Sequence, residues 1–115
     1  MKLIIAGSRG FNNQTRAVKM LDVLLEKYPD MTVISGMARG ADLIGYNWAC
    51  SRNLTVLKYK PEWEKYGRSA GHIRNEEMAK VGTHLLAFWD GKSPGTASMI
   101  RYAEQYGLKI HVVKA

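Results

Sequence analysis

Three glycine-rich stretches hold most of the residues that could do chemistry: AGSRGF at 6–11, SGMARGAD at 35–42 and WDGKSPGT at 89–96. Each follows an apolar run. Two repeat one spacing, Gly36-x-x-x-Gly40 and Gly91-x-x-x-Gly95, just ahead of a helical stretch. That pattern suits an anion, because glycine lets backbone N–H groups come close to a ligand and the first turn of a helix adds unpaired donors with a partial positive charge. One such turn is a weak signal, since tight turns in any α/β protein use glycine. Three at one sheet edge point to phosphate. The G-x-G-x-x-G and G-x-x-x-x-G-K-[ST] patterns are absent, so neither a nicotinamide enzyme nor a standard NTPase is indicated.

The side chains around these turns extend the reading. Gly7, Ser8 and Arg9 follow the first apolar run; Ser35, Gly36, Arg39, Gly40 and Asp42 occupy the second stretch; Asp90, Ser93, Gly95 and Thr96 occupy the third. Arg9 and Arg39 are candidate phosphate ligands. Asp42, in the first turn of a helix, is favoured there by the helix dipole and could also accept from ribose hydroxyls. Asp90, at the end of an apolar strand, is expected to face the crevice. A further segment, GRSAGHIRNEEMAK at 67–80, brings Arg68, His72, Arg74 and Asn75 to the start of a helix. Arginine offers a planar fork for phosphate, and asparagine can read a base edge or cap the helix. Trp63 and Tyr66, just upstream, could stack on a base or seal the end of a sheet. His72, His84 and His111 have no spacing that builds a metal site, and no serine, histidine and third group form a legible triad.

These residues need a frame, and the periodicity supplies one. Leu3–Ala6, Thr32–Ser35, Thr55–Tyr59, the run 84–90 and Lys109–Val113 read as strands. Helical patterns cover Thr15–Tyr28, Ala41–Arg52, Ile73–Val81 and Thr96–Tyr106, with Asn53 ending the second and Gly107 capping the last. Residues 60–72 read as an irregular connection. Five strands alternating with four helices predict an α/β, three-layer, Rossmann-like domain over residues 1–115 with a five-stranded parallel sheet, order 3-2-1-4-5. In that order the crevice opens beyond the carboxyl ends of the first and fourth strands, where the three glycine-rich turns fall.

Composition narrows the partners. The chain has 115 residues, 17 Lys and Arg against 10 Asp and Glu, and a formal net charge of +7, which favours an anionic partner. The basic residues form no run of five or six, so a phosphate-bearing small molecule accounts for the charge as well as nucleic acid does. With 46% hydrophobic residues and no apolar run near the roughly 20 residues of a spanning helix, neither disorder nor a membrane span is indicated. The start of the chain lacks a signal-peptide pattern, and its single cysteine, Cys50, fits a reducing compartment; a cytoplasmic protein is expected. Cys50 follows Trp48 and Ala49 in a helix and is expected to be buried.

Taken together, AGSRGF, ISGMARGAD, the segment from Trp63 to Asn75 (W-x-x-Y-G-R-x-A-G-x-x-R-N) and DGKSPGT resemble the YspA-like, cpYpsA-related branch of the SLOG superfamily, to which the DNA-processing protein A and lonely-guy families also belong. The resemblance covers almost the whole chain. It implies a Rossmann-like domain that binds nucleotides or nucleotide-derived ligands at this sheet edge, and frequent homodimers or higher homo-oligomers. The glycine-rich signature falls on Ser35, Gly36, Gly40, Ala41 and Asp42, and the arginine motif on Arg74 and Asn75, with Met78 after it. The P-G-G-x-G-T-x-x-E loop of lonely-guy enzymes partly matches 90–99, with Gly95 and Thr96 as its G-T pair. Met99 stands where those enzymes carry the glutamate that cleaves an N-glycosidic bond.

Three readings follow. The first is a nucleotide-ligand binding module without a cofactor or a metal, in which loop amides with Arg9, Arg39 and Arg74 hold phosphate while Asp42 or Asp90 reads the sugar. The second is an N-glycosidic hydrolase or transferase in which Asp90, Asp42, Glu76 or Glu77 replaces the missing carboxylate. The third, ranked last, is single-stranded nucleic-acid binding, with bases stacked on Trp63 or Tyr66.

Overall fold

In the structure, a computed structural model that describes residues 1–115, the most apolar segments lie at the centre of the sheet. Strands β1 (Lys2–Gly7) and β4 (His84–Trp89) are adjacent, flanked by β2 (Thr32–Ser35) and β3 (Val56–Lys58) on one side and by β5 (Lys109–Lys114) on the other. All pairs are parallel and the order is β3-β2-β1-β4-β5, as the crossover rules predict. Leu3–Ala6 and Leu85–Phe88 are buried on both faces of the sheet, whereas β5 is mostly exposed along an open edge. Gly7 pairs with Phe88, so the carboxyl ends of the two central strands stop level with each other.

Alternation along the strands divides the core. Leu3, Ile5, Leu86 and Phe88 face α1 (Gln14–Lys27) and α2 (Ala41–Ser51), meeting Ala17, Leu21, Trp48 and Ala49. Ile4, Ala6, Leu85 and Ala87 face the other way, where Met78, Ala79, Met99 and Ala103 sit. That second face is covered by α4 (Ala70–Val81) and α5 (Pro94–Gln105). Burying each large side chain contributes about 1.5–3 kcal/mol, so Leu21→Ala, at a fully buried position, is expected to cost about 2–5 kcal/mol. No helix is long and apolar enough to cross a membrane.

Helix ends follow local chemistry. The Asn13 side chain accepts from Arg16 N at 3.2 Å and caps α1. Asn53 takes a left-handed conformation after α2, and Gly107 does so after α5, as their sequence positions suggest.

Four local expectations need correction. Residues 63–69 are not irregular: Trp63–Tyr66 forms a short helix, α3, and Gly67–Ser69 a 3-10 turn. Helix α4 begins at Ala70 rather than Ile73, so Arg74 and Asn75 lie in its second turn and Asn75 does not cap it. Helix α5 begins at Pro94, whose fixed φ suits the first helical position; Gly95 and Thr96 are therefore in its first turn. Cys50 is exposed, because Gly45, Trp48 and Ala49 take the inward positions of α2 and leave it facing out.

Candidate functional site

At the carboxyl edge of the sheet the loop after β1, the loop after β2 and the start of α5 converge, and α4 closes the remaining side. Gly40 makes the approach of the first two loops feasible. It has φ +86, and a β-carbon there would run into the carbonyl oxygens of Ser8 and Arg9. Ser35 builds the turn beneath them: its hydroxyl donates to the Asp42 carbonyl oxygen at 3.2 Å and accepts from Met37 N at 3.1 Å. Between these bonds Met37 is held at φ +62, a conformation that non-glycine residues rarely adopt.

The result is a cleft with two lobes. The inner lobe, about 390 Å³, is walled by Gly7–Gly10, Asp42, Arg74, Asn75 and Ser93–Thr96, over a floor that includes Ala6, Met78 and Met99. The outer lobe, about 400 Å³, is walled by Arg9, Gly36–Arg39, Lys60, Pro61, Trp63 and Arg74. Arg9, Ala38 and Arg74 belong to both. The only carboxylate in either wall is that of Asp42, against Arg9, Arg39, Lys60 and Arg74.

Arg74 is fixed from three directions. Its Nη1 donates to the Gly36 carbonyl oxygen at 2.6 Å and to that of Tyr59 at 3.4 Å, and its Nε donates to Asn75 Oδ1 at 2.9 Å. Asn75 is buried and turns its amide the other way, donating to the Gly95 carbonyl oxygen at 3.3 Å and to Ser98 Oγ at 3.4 Å. One side chain therefore sets the guanidinium and ties it to the start of α5. The Arg74 Nη2 has no protein acceptor.

Asp42 is 5% exposed. Burial pushes its carboxyl up to about 6, against the opposing pull of Arg74, the Ala38 and Gly7 amides and Arg9. Across the cleft the first turn of α5 presents Gly95 and Thr96, whose N–H groups precede the first intrahelical donor, Ala97 N. Ser8 and Ser93 join the β1 and β4 loops through a hydroxyl contact of 3.1 Å.

The model of the YspA, cpYpsA-related SLOG family matches residues 1–66. A "Gene 61 protein" of Mycobacterium phage D29 is 34% identical over 95% of this chain and 93% of its own length. The chain belongs to the YspA, cpYpsA-related SLOG family.

This SLOG domain is similar in fold to two solved structures. DNA processing protein A from Streptococcus pneumoniae superposes with a TM-score of 0.77 at 14% identity, over 99% of this chain and 50% of that one. The Helicobacter pylori protein superposes with a TM-score of 0.70 at 19% identity, over 97% and 64%. The SLOG domain thus spans half of one solved chain and under two thirds of the other.

Of the residues singled out in the sequence, Gly7, Ser8, Arg9, Asp42, Arg74, Asn75, Ser93, Gly95 and Thr96 meet in the inner lobe of the SLOG domain, and Gly36, Arg39 and Trp63 in the outer one. Ser35 and Gly40 lie beneath them as builders of the turn. Asp90 does not join the cleft wall. Its carboxylate turns into its own loop, accepting from Lys92 N at 2.8 Å, Ser93 N at 2.7 Å and Ser93 Oγ at 2.8 Å, and these bonds hold its carboxyl down at about 2. Glu76 accepts from the Tyr106 hydroxyl at 2.7 Å, and Glu77 is exposed on α4; neither lines a lobe. Lys60 and Met37 were missed by sequence reasoning. An isolated lysine in a connection and a methionine in a glycine-rich turn carry no spacing that would single them out.

Proposed function

We propose that this SLOG domain binds a nucleotide or nucleotide-derived ligand in the cleft, with phosphate on the α5 amides and Arg74 and a sugar hydroxyl on Asp42. The observation that carries the reading is the locked guanidinium of Arg74, a wall residue of the cleft with Nη2 unpaired, beside the open first turn of a helix. Charge-assisted hydrogen bonds of this kind contribute about 1.5–3 kcal/mol each, more than the dipole alone at about 0.3–1 kcal/mol, so the arginine decides the affinity. The test is thermal stabilisation by nucleoside phosphates. Wild type should be stabilised in a saturable way, and Arg74→Lys, which keeps the charge and loses the fork, should respond far less. No stabilisation by any nucleoside phosphate contradicts the reading.

A second reading has one specific observation in its favour. Asp42, held near 6, is poised between acid and base at neutral pH, as a group acting at an N-glycosidic bond would be. Met99 occupies the floor of the same lobe and brings no such group. Release of free base from nucleoside monophosphates, abolished in Asp42→Asn, would support the enzyme; intact nucleotides after prolonged incubation would leave binding alone. The Helicobacter pylori relative has a single-stranded DNA binding mode. For the present domain, an affinity for oligonucleotides that falls steeply with salt would favour that third reading.

A further inference from the structure

We infer that the cleft takes a dinucleotide: one unit in the inner lobe, the linking phosphate at the waist between Arg9 and Arg74, and the second unit in the outer lobe with its base against Trp63. The inference rests on the nucleotide reading above and extends it to the second lobe.

Each lobe by itself, at about 390 and 400 Å³, lies near the lower end of the roughly 300–1,000 Å³ of small-molecule sites. The lobes adjoin each other, with Arg9, Ala38 and Arg74 in the walls of both. The inner lobe already holds what one nucleotide needs: helix amides, hydroxyls, Asp42 and Arg74. The outer lobe repeats the provision with different residues. Arg39 and Lys60 supply cations that the inner lobe cannot use, and Trp63, 52% exposed, leaves an indole face in water beside them. Half-exposed tryptophan next to paired cations is how a protein reads a base and its phosphate together. Arg74 stands in the walls of both lobes with Nη1 and Nε consumed by the protein, which leaves Nη2 without a protein acceptor.

The track also ends there. Glu62 and Glu64 flank Trp63 in sequence, and the neighbouring surface depression is lined by both, with a single lysine, Lys65. A third phosphate would meet negative charge. This separates a ligand of two units from a continuing single strand, whose backbone needs cations along its length.

The test is titration calorimetry with the four ribonucleoside 5′-monophosphates, the homodinucleotides pApA, pCpC, pGpG and pUpU, and the octamer of the base that binds best. At least one dinucleotide should bind ten-fold or more tightly than its mononucleotide. A Lys60→Ala/Trp63→Ala double variant should lose that gain and keep mononucleotide affinity, with a cooperative melting transition as the check that it folds. Equal affinity for one and two units, or a variant that loses both alike, overturns the inference while leaving nucleotide binding in place. An octamer tighter by a further ten-fold overturns it in favour of a single strand. Failure of every mononucleotide and dinucleotide overturns it together with the reading of the cleft.

Discussion

Arg74 and Asp42 approach Gly36 from the same side: a β-carbon on Gly36 would lie 2.6 Å from Arg74 Nη1 and 2.8 Å from Asp42 Oδ2. The cation and the carboxylate are held near each other by a residue that offers no side chain. This explains why a glycine directly follows β2 in the second glycine-rich stretch, where the dihedral angles do not demand one.

Gly36→Ala should therefore push the guanidinium away from the cleft. We predict a protein that still folds, with a loss of about 1–3 kcal/mol from overpacking, and ligand affinity reduced at least ten-fold. Denaturant titration and calorimetry on the same sample separate the two effects. Unchanged affinity would mean that the position of Arg74 does not matter.

Asp42 makes stability depend on pH in an unusual direction for a carboxylate. Its carboxyl rises from 3.8 to about 6 on folding, so the folded state holds the proton more tightly than the unfolded chain. The associated stability is fully present below pH 4 and is lost as pH rises through 6, amounting to about 3 kcal/mol by pH 7. Asp42→Asn should remove this slope and raise the stability of the free protein at pH 7. Denaturation curves at pH 4.5 and 7.5 give the comparison; an identical pH dependence in the variant would show that Asp42 ionises normally.

Asp90 has the opposite sign. Its carboxyl is lowered to about 2 by the Ser93 and Lys92 amides, so it orders the 90–95 loop at neutral pH and loses that role only as pH falls toward 2. Asp90→Ala should speed hydrogen exchange at Lys92 and Ser93 and weaken phosphate binding several-fold through the looser α5 start. Exchange rates equal to wild type would place the loop's order elsewhere.

Asn75→Ala should leave the Arg74 Nε without its partner and cut the tie to Gly95. A cost of about 1–3 kcal/mol in stability is expected from the orphaned donor, with weaker ligand binding alongside it. Loss of stability with full affinity would mark Asn75 as a packing residue with no part in positioning Arg74.

The fold was legible because its signals are local and strong. The continuous apolar runs of β1 and β4 and the glycine-rich strand ends suffice for strand order, and the right-handed crossover leaves few alternatives. The cleft was legible in part. Arg74, Asp42 and Gly95 stand in patterned stretches, but whether a loop carboxylate faces the cleft depends on which amides lie within its reach, and Asp90 finds Lys92 N and Ser93 N before it finds a ligand. Helix α3 escaped notice because four residues are too few to show a period. Cys50 was misplaced because one step of about 100° around α2 separates it from the buried Ala49.

The most direct measurement is calorimetric titration of nucleoside phosphates into wild type and Arg74→Gln at physiological salt. The account predicts saturable binding to wild type, one ligand per chain, weakened at least ten-fold in the variant. Heat that fails to saturate for every nucleoside phosphate, or equal affinity in the two proteins, would contradict it.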